Sequence, residues 1–158
     1  MKTTHEVAKE KLHNNIVNSI QGLLEKNYDA EAGYKKAMLK AENSAVTDFF
    51  KSCAVLRGRF VNELDNEIRS MNETPKESGS TAAAVHRMWI DFKTVLSGNN
   101  DEAILEECIR GEKASVEEYE KTLENQNFSP ELTQLLTNQK SRIENSLKTV
   151  KDLEFIAS

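Results

Sequence analysis

The chain is poor in everything that interrupts a helix. Its 158 residues include six glycines and two prolines, and β-branched residues nowhere collect into the alternating runs that a sheet needs. No apolar run approaches the roughly 18–20 residues that span a bilayer. The opening MKTTHEVAKEKLHNN has no apolar segment of the kind a secretory signal carries. A cytoplasmic protein without membrane contact is the expectation. A basic excess is missing as well: the formal charge is −5, and Lys and Arg are dispersed among acids. Phosphate binding needs a basic face, so nucleic acid is not an expected partner. Two cysteines, Cys53 and Cys108, fall on apolar stripes with no CxxC spacing, which reads as free buried thiols behaving as small hydrophobes. No Gly-rich phosphate loop and no convincing pairing of a nucleophile with histidine exists, so no catalytic residue is assigned.

What is abundant is charge, 30% of residues, alternating with 38% apolar residues at steps of three and four. That spacing predicts amphipathic helices throughout one domain spanning residues 1–158. Residues 1–10 are polar and expected to be frayed or loosely helical. A long helix then runs to about Ala41, striping Ile16, Ile20, Leu23, Asn27, Tyr34, Met38 and Ala41. Asn43 or Ser44 caps a second helix over about 45–72, with Phe50, Cys53, Arg57, Phe60, Leu64 and Met71 on its face. NETPKESGS (72–80) is the most loop-like stretch. A short helix over about 81–97 follows, with Ala82, Val85, Trp89, Phe92 and Leu96 apolar. The helix from Asp101 to Glu124 stripes Leu105, Cys108, Ser115, Tyr119 and Leu123. Ser129-Pro130-Glu131 is a cap, an N1 proline and a first-turn acid in order; it opens a last helix striping Leu132, Leu135, Gln139, Ile143, Leu147, Val150 and Leu153.

Four long helices and one short one form two antiparallel hairpins, joined by a connection over 72–100 long enough to cross the bundle. That is a ferritin-like all-α arrangement. A weak internal repeat fits it. Leu23–Met38 and Cys108–Leu123 align without gaps on Tyr34 and Tyr119, and Asn27 then stands opposite Glu112.

Polar residues interrupt the apolar stripes: Asn27, Arg57, Glu112 and Gln139. An ionised carboxylate buried alone is prohibitively costly, so Glu112 must be paired, protonated, hydrated or metal-bound. One reading pairs Glu112 with Arg57, with Asn27, Gln139, Tyr34 and Tyr119 completing a buried polar network. The other makes Glu112 part of a metal site with Glu31 and Glu63, holding iron or manganese. Dimetal bundles of this type need a lone Glu from two helices and Glu-x-x-His from the other two. The three histidines, His5, His13 and His86, do not supply it. The one literal match, Glu10-Lys11-Leu12-His13, lies too early in the first helix, and Glu144-Asn145-Ser146-Leu147 has leucine where histidine is needed. Arg57 would also repel a dimetal cluster. The expected arrangement is therefore the ion pair, with no cofactor. Gly58 and Gly111, beside Arg57 and Glu112, cost about 1 kcal/mol each relative to Ala inside a helix, which implies close helix approach or a local bulge.

GYKKA (33–37), RGRFVNEL (57–64), ESGS with HRMWIDFKTVLSG (77–98) and AILEECIRGE (103–112) resemble an uncharacterised bacterial four-helix-bundle family, a domain of unknown function in the ferritin-like superfamily. The resemblance runs from about Val17 to Leu153. It implies the fold and a bacterial cytosolic protein, and it implies no reaction. A non-catalytic structural or binding protein follows as the expectation, self-associating as a homodimer. The alternatives are an iron- or manganese-dependent oxidase or iron-handling protein with an atypical ligand set, and a bundle that binds a ligand or partner on the face around Trp89.

Overall fold

The computed structural model describes residues 1–80 and 101–157. The short helix expected over 81–97, with His86 and Trp89, lies outside the described residues. The described residues form four helices: α1 (Thr4–Lys40), α2 (Ser44–Ser70), α3 (Asp101–Asn125) and α4 (Pro130–Ala157). Helices α1 and α2 pack along their lengths as one hairpin, α3 and α4 as another. The hairpins meet each other chiefly through side chains.

The helix ends follow from local chemistry. Helix α1 begins at Thr4, well before residue 10. Thr3 and Glu6 form a capping box, in which the Thr3 hydroxyl accepts from the Glu6 N–H and the Glu6 carboxylate accepts from the Thr3 N–H. Such a box satisfies two otherwise orphaned donors, so this turn holds although residues 4–12 lie exposed, beyond the bundle. Asn43 caps α2, its Oδ1 accepting from the N–H groups of Ala45 and Val46. Ser129 caps α4 through the N–H of Leu132. Helix α2 ends on Asn72, whose φ of 61° is left-handed. There the Asn72 N–H donates to Arg69 O and the Glu73 N–H to Ile68 O, the paired bonds of a Schellman stop.

The stripes largely fall where the spacing puts them, with local shifts. On α4 it is Leu136, not Leu135, that is fully buried, and Leu147 and Leu153 are half-buried. On α1, Val17, Leu24, Ala30 and Ala37 join the core, while Ile16 and Met38 sit at its margin.

The core is divided in two. One cluster, containing Tyr34, Phe50, Cys53, Leu105 and Cys108, lies towards the α1–α2 turn. The other, containing Ile20, Leu24, Phe60, Leu64, Leu136 and Ile143, lies towards the α3–α4 turn. Between them, at the waist of the bundle, are the buried polar side chains. At the first end, the Asp101 carboxylate accepts from the N–H groups of Glu42 at 3.0 Å and Asn43 at 2.9 Å. This ties the turn of one hairpin to the first residue of the other.

Candidate functional site

The waist is built from one to three polar residues on each helix. Arg57 of α2 and Glu112 of α3 are nearly inaccessible, and Arg57 Nη2 stands 2.6 Å from Glu112 Oε1. The same nitrogen donates to Ser115 Oγ at 3.1 Å, and Nη1 donates to Asn27 Oδ1 at 2.8 Å. Asn27 passes the polarity on. Its Nδ2 donates to its own helix at Leu23 O and to the Tyr119 hydroxyl at 3.0 Å. Tyr119 donates to Gln139 Oε1 at 2.7 Å, and Gln139 Nε2 donates to Glu63 Oε1 at 3.1 Å. Every bond along this path points the same way, from a buried cation to a carboxylate at the edge of the core. Such chains polarise each member and strengthen the whole.

The low dielectric of the waist shows in the other titrating groups. Burial pushes the Tyr119 hydroxyl up to about 12, with the Arg57 charge and the Asn27 hydrogen bond opposing it. Burial raises Tyr34 well above its ordinary value, and the nearby Glu112 charge adds to it. The Cys53 thiol is pushed up to about 12, first by burial and then by Glu112, and Cys108 rises well above its ordinary value for the same two reasons. Both cysteines are free and buried, and both stay as protonated thiols at any ordinary pH. That leaves them poor nucleophiles and poor metal ligands, since both roles need the thiolate. One atom at the waist stands apart: Glu112 Oε2 is buried without a hydrogen-bond partner among the described residues.

Of the residues singled out from sequence, Asn27, Arg57, Glu112, Gln139 and Tyr119 form one connected set, and Tyr34 lies close enough to feel the Glu112 charge. Glu31 goes elsewhere. It takes an ion pair with Lys35 at 3.2 Å, and its carboxylate lies over Gly58, in the space a Cβ there would need. The close approach expected at Gly58 is thus an approach of the Glu31 side chain. Glu63 is engaged by Gln139. Among the described residues, one group of three possible ligands has its ligand atoms within 4.8 Å of one another: Glu102, Glu106 and Glu154, half-exposed or exposed at the far end of the bundle.

A family profile described as Domain of unknown function (DUF2383) matches residues 15–125, which hold Asn27, Arg57, Glu112, Ser115 and Tyr119. The chain belongs to this family. The DUF2383 match ends with α3, so Gln139 on α4 lies beyond it. No curated protein and no solved structure matches the chain. No described helix of this DUF2383 protein is long and apolar enough to cross a membrane.

A second polar assembly escaped the sequence reading. The strap over 72–80 is pinned along α1 by Gln21, Glu25 and Asp29, spaced one turn apart. Gln21 Nε2 donates to Thr74 O at 2.8 Å and its Oε1 accepts from the Lys76 N–H at 2.9 Å. Lys76 pairs with Glu25 at 2.6 Å. Asp29, though mostly buried, takes the Ser80 N–H at 2.7 Å and meets the Ser80 hydroxyl at 2.5 Å, while that hydroxyl also lies 2.9 Å from Glu25. Gly79 allows this closeness, since a Cβ there would collide with the Asp29 carboxylate. The signal available in sequence was the i, i+4, i+8 run Gln21, Glu25, Asp29 on one face of α1.

Proposed function

We propose that this protein is a ferritin-like bundle acting as a non-catalytic structural or binding protein, its centre closed by an ion pair. The observation that carries the reading is the 2.6 Å contact of Arg57 with Glu112. A dimetal centre needs carboxylates and imidazoles converging on a shared point, and here a guanidinium fills the position facing the central carboxylate. A fixed cation there raises the electrostatic cost of any metal ion beside it. The available residues therefore do not fit a dimetal cluster: Glu31 is turned to Lys35 and Gly58, Glu63 to Gln139, and no Glu-x-x-His faces the waist. The two thiols add no reactivity, because burial keeps them protonated. The same reading takes the protein as bacterial and cytoplasmic, following the sequence resemblance.

The test is metal analysis of protein purified without chelator, alongside a Glu112→Gln variant. The expected result is no stoichiometric iron or manganese in either. Stoichiometric metal that disappears in the variant would overturn the reading in favour of a metal-handling bundle.

A further inference from the structure

Helices α2 and α4 run antiparallel, with Cys53 hydrogen-bonded to Ser146, and leave an open groove of about 820 Å³ between them. Its floor holds Phe49, Leu56 and Leu153, all half-buried, and Val55 on the α2 surface beside it is 59% exposed. Two of its thirteen lining residues are charged, Asp48 on α2 and Arg142 on α4, against 30% of the whole chain. The rest of the α4 side is uncharged and hydrogen-bonding: Asn138, Ser141, Asn145, Ser146 and Thr149. Charge depletion with a few placed polar groups is the compositional mark of an interface core. Asp48 and Arg142 have no charge partner among the described residues.

The placement of these two charges points to one occupant. Taking the Cys53–Ser146 layer as reference, Asp48 lies five residues towards one end of the groove and Arg142 four residues towards the other. At 1.5 Å per residue these offsets are roughly 7.5 Å and 6 Å, similar in size and opposite in direction. A two-fold axis lying diagonally across the groove at that layer exchanges the two levels and, with them, the α2 and α4 sides. It brings Asp48 of each copy to the level of Arg142 of the other, twice over, with the small Ser52 and Ser146 at the axis where close approach is needed. An interface in which residue i meets j and j meets i is what two-fold symmetry requires. We propose that the α2–α4 face is where a second copy of this chain docks, with Asp48 and Arg142 forming the two symmetry-related ion pairs that set its register.

The test is sedimentation of the full chain with Asp48→Arg, with Arg142→Asp, and with both together. Circular dichroism of each variant confirms that it folds; both sites are exposed and outside the waist. The wild type is expected to be a dimer at tens-of-micromolar concentration. Each single reversal replaces two attractive contacts with two like-charge contacts, and at about tenfold for each the dissociation constant rises about a hundredfold. The double variant restores the complementary pairing and returns the dissociation constant to near that of the wild type. A wild-type monomer, a dimer indifferent to both reversals, or a double variant as weak as the singles each overturns the proposal. None of these outcomes bears on metal content, so the test stands apart from that of the bundle's function.

Discussion

Removing the Glu112 carboxylate tests the waist most sharply. In Glu112→Ala the Arg57 guanidinium keeps its neutral acceptors, Asn27 Oδ1 at 2.8 Å and Ser115 Oγ at 3.1 Å, and loses its counter-charge at 2.6 Å. Water reaches it poorly, since Arg57 is 2% exposed. Breaking a buried pair from one side typically costs about 3–5 kcal/mol, because a charge is left uncompensated. With a urea slope of about 2 kcal/mol/M, the unfolding midpoint is expected to fall by roughly 1.5–2.5 M. Glu112→Gln keeps an acceptor for Arg57 but loses the counter-charge, and should lose less than Glu112→Ala. Arg57→Met strands the carboxylate instead. Combining Arg57→Met with Glu112→Leu removes both charges. A buried pair replaced by apolar residues of similar volume is often neutral or stabilising, so the double variant is expected to be more stable than either single one. The assay is urea unfolding followed by circular dichroism, with wild type, Arg57→Met, Glu112→Leu and the double variant forming the double-mutant cycle. A loss below about 1 kcal/mol for Glu112→Ala, as exposed pairs show, would refute the reasoning. So would a double variant whose loss equals the sum of the singles.

Two further expectations follow. Asp29 is held above its ordinary value by burial, with the Ser80 hydrogen bonds opposing. The folded state therefore holds that proton more tightly than the unfolded one, and stability falls as pH rises from the usual carboxylate range through the raised value. Asp29→Asn, which stays neutral and can still accept from the Ser80 N–H, should flatten that slope in thermal melts; an unchanged slope would count against it. Glu25 acts in the opposite sense, its value lowered chiefly by the Lys76 hydrogen bond, so its contribution is present above the usual range and fades in acid. Cys53 and Cys108 should resist a thiol reagent at neutral pH in the native protein and react together in denaturant. Rapid native labelling of either would contradict their inert, protonated state.

How much of this was legible depends on what kind of physics each feature uses. The ends of α2 and α4 could be placed from sequence because Asn43 and Ser129-Pro130 act through their own backbone neighbours. A charge on an apolar stripe also declares itself, since burying it alone is prohibitive, and that single argument isolates Arg57 and Glu112. The order of donors from Asn27 through Tyr119 and Gln139 to Glu63 is a different matter. It depends on each helix being rotated to within a fraction of a residue, as the burial of Leu136 in place of Leu135 illustrates. For residues 1–10 polarity left frayed and loosely helical as alternatives, and the Thr3–Glu6 box is what begins the helix at Thr4. The strap left only the Gln21, Glu25, Asp29 spacing as a signal, because Asp29 and Ser80 are ordinary surface residue types and only the fold brings them together.

The two hairpins are related in a way that gives the waist a physical rationale beyond closing the core. Asn27 and Glu112 occupy equivalent positions on α1 and α3, as do Tyr34 and Tyr119. On α2 and α4, Phe50, Ala54, Arg57, Val61 and Ile68 align without gaps with Leu132, Leu136, Gln139, Ile143 and Val150, and all ten are buried. Arg57 thus stands where the other hairpin has Gln139. The apolar match is partial, since in the same register the buried Phe60 and Leu64 fall opposite the exposed Arg142 and the half-buried Ser146. The polar positions are not matched. The first hairpin brings Asn27 and Arg57 to the waist and the second brings Glu112 and Gln139, one positive pair and one negative. Two copies of the first would bury two guanidiniums against each other, and two copies of the second would bury two carboxylates, each carrying an unpaired-charge cost of several kcal/mol. The ion pair therefore adds discrimination against like-with-like assembly of hairpins whose apolar residues match in part, and discrimination built from a repulsive alternative is one way a sequence with an internal repeat selects one partner. On this argument the Arg57→Met and Glu112→Leu double variant keeps its stability and loses that selection. It should show extra oligomeric or hairpin-swapped species on refolding that wild type does not, and clean refolding to a single species would remove the argument.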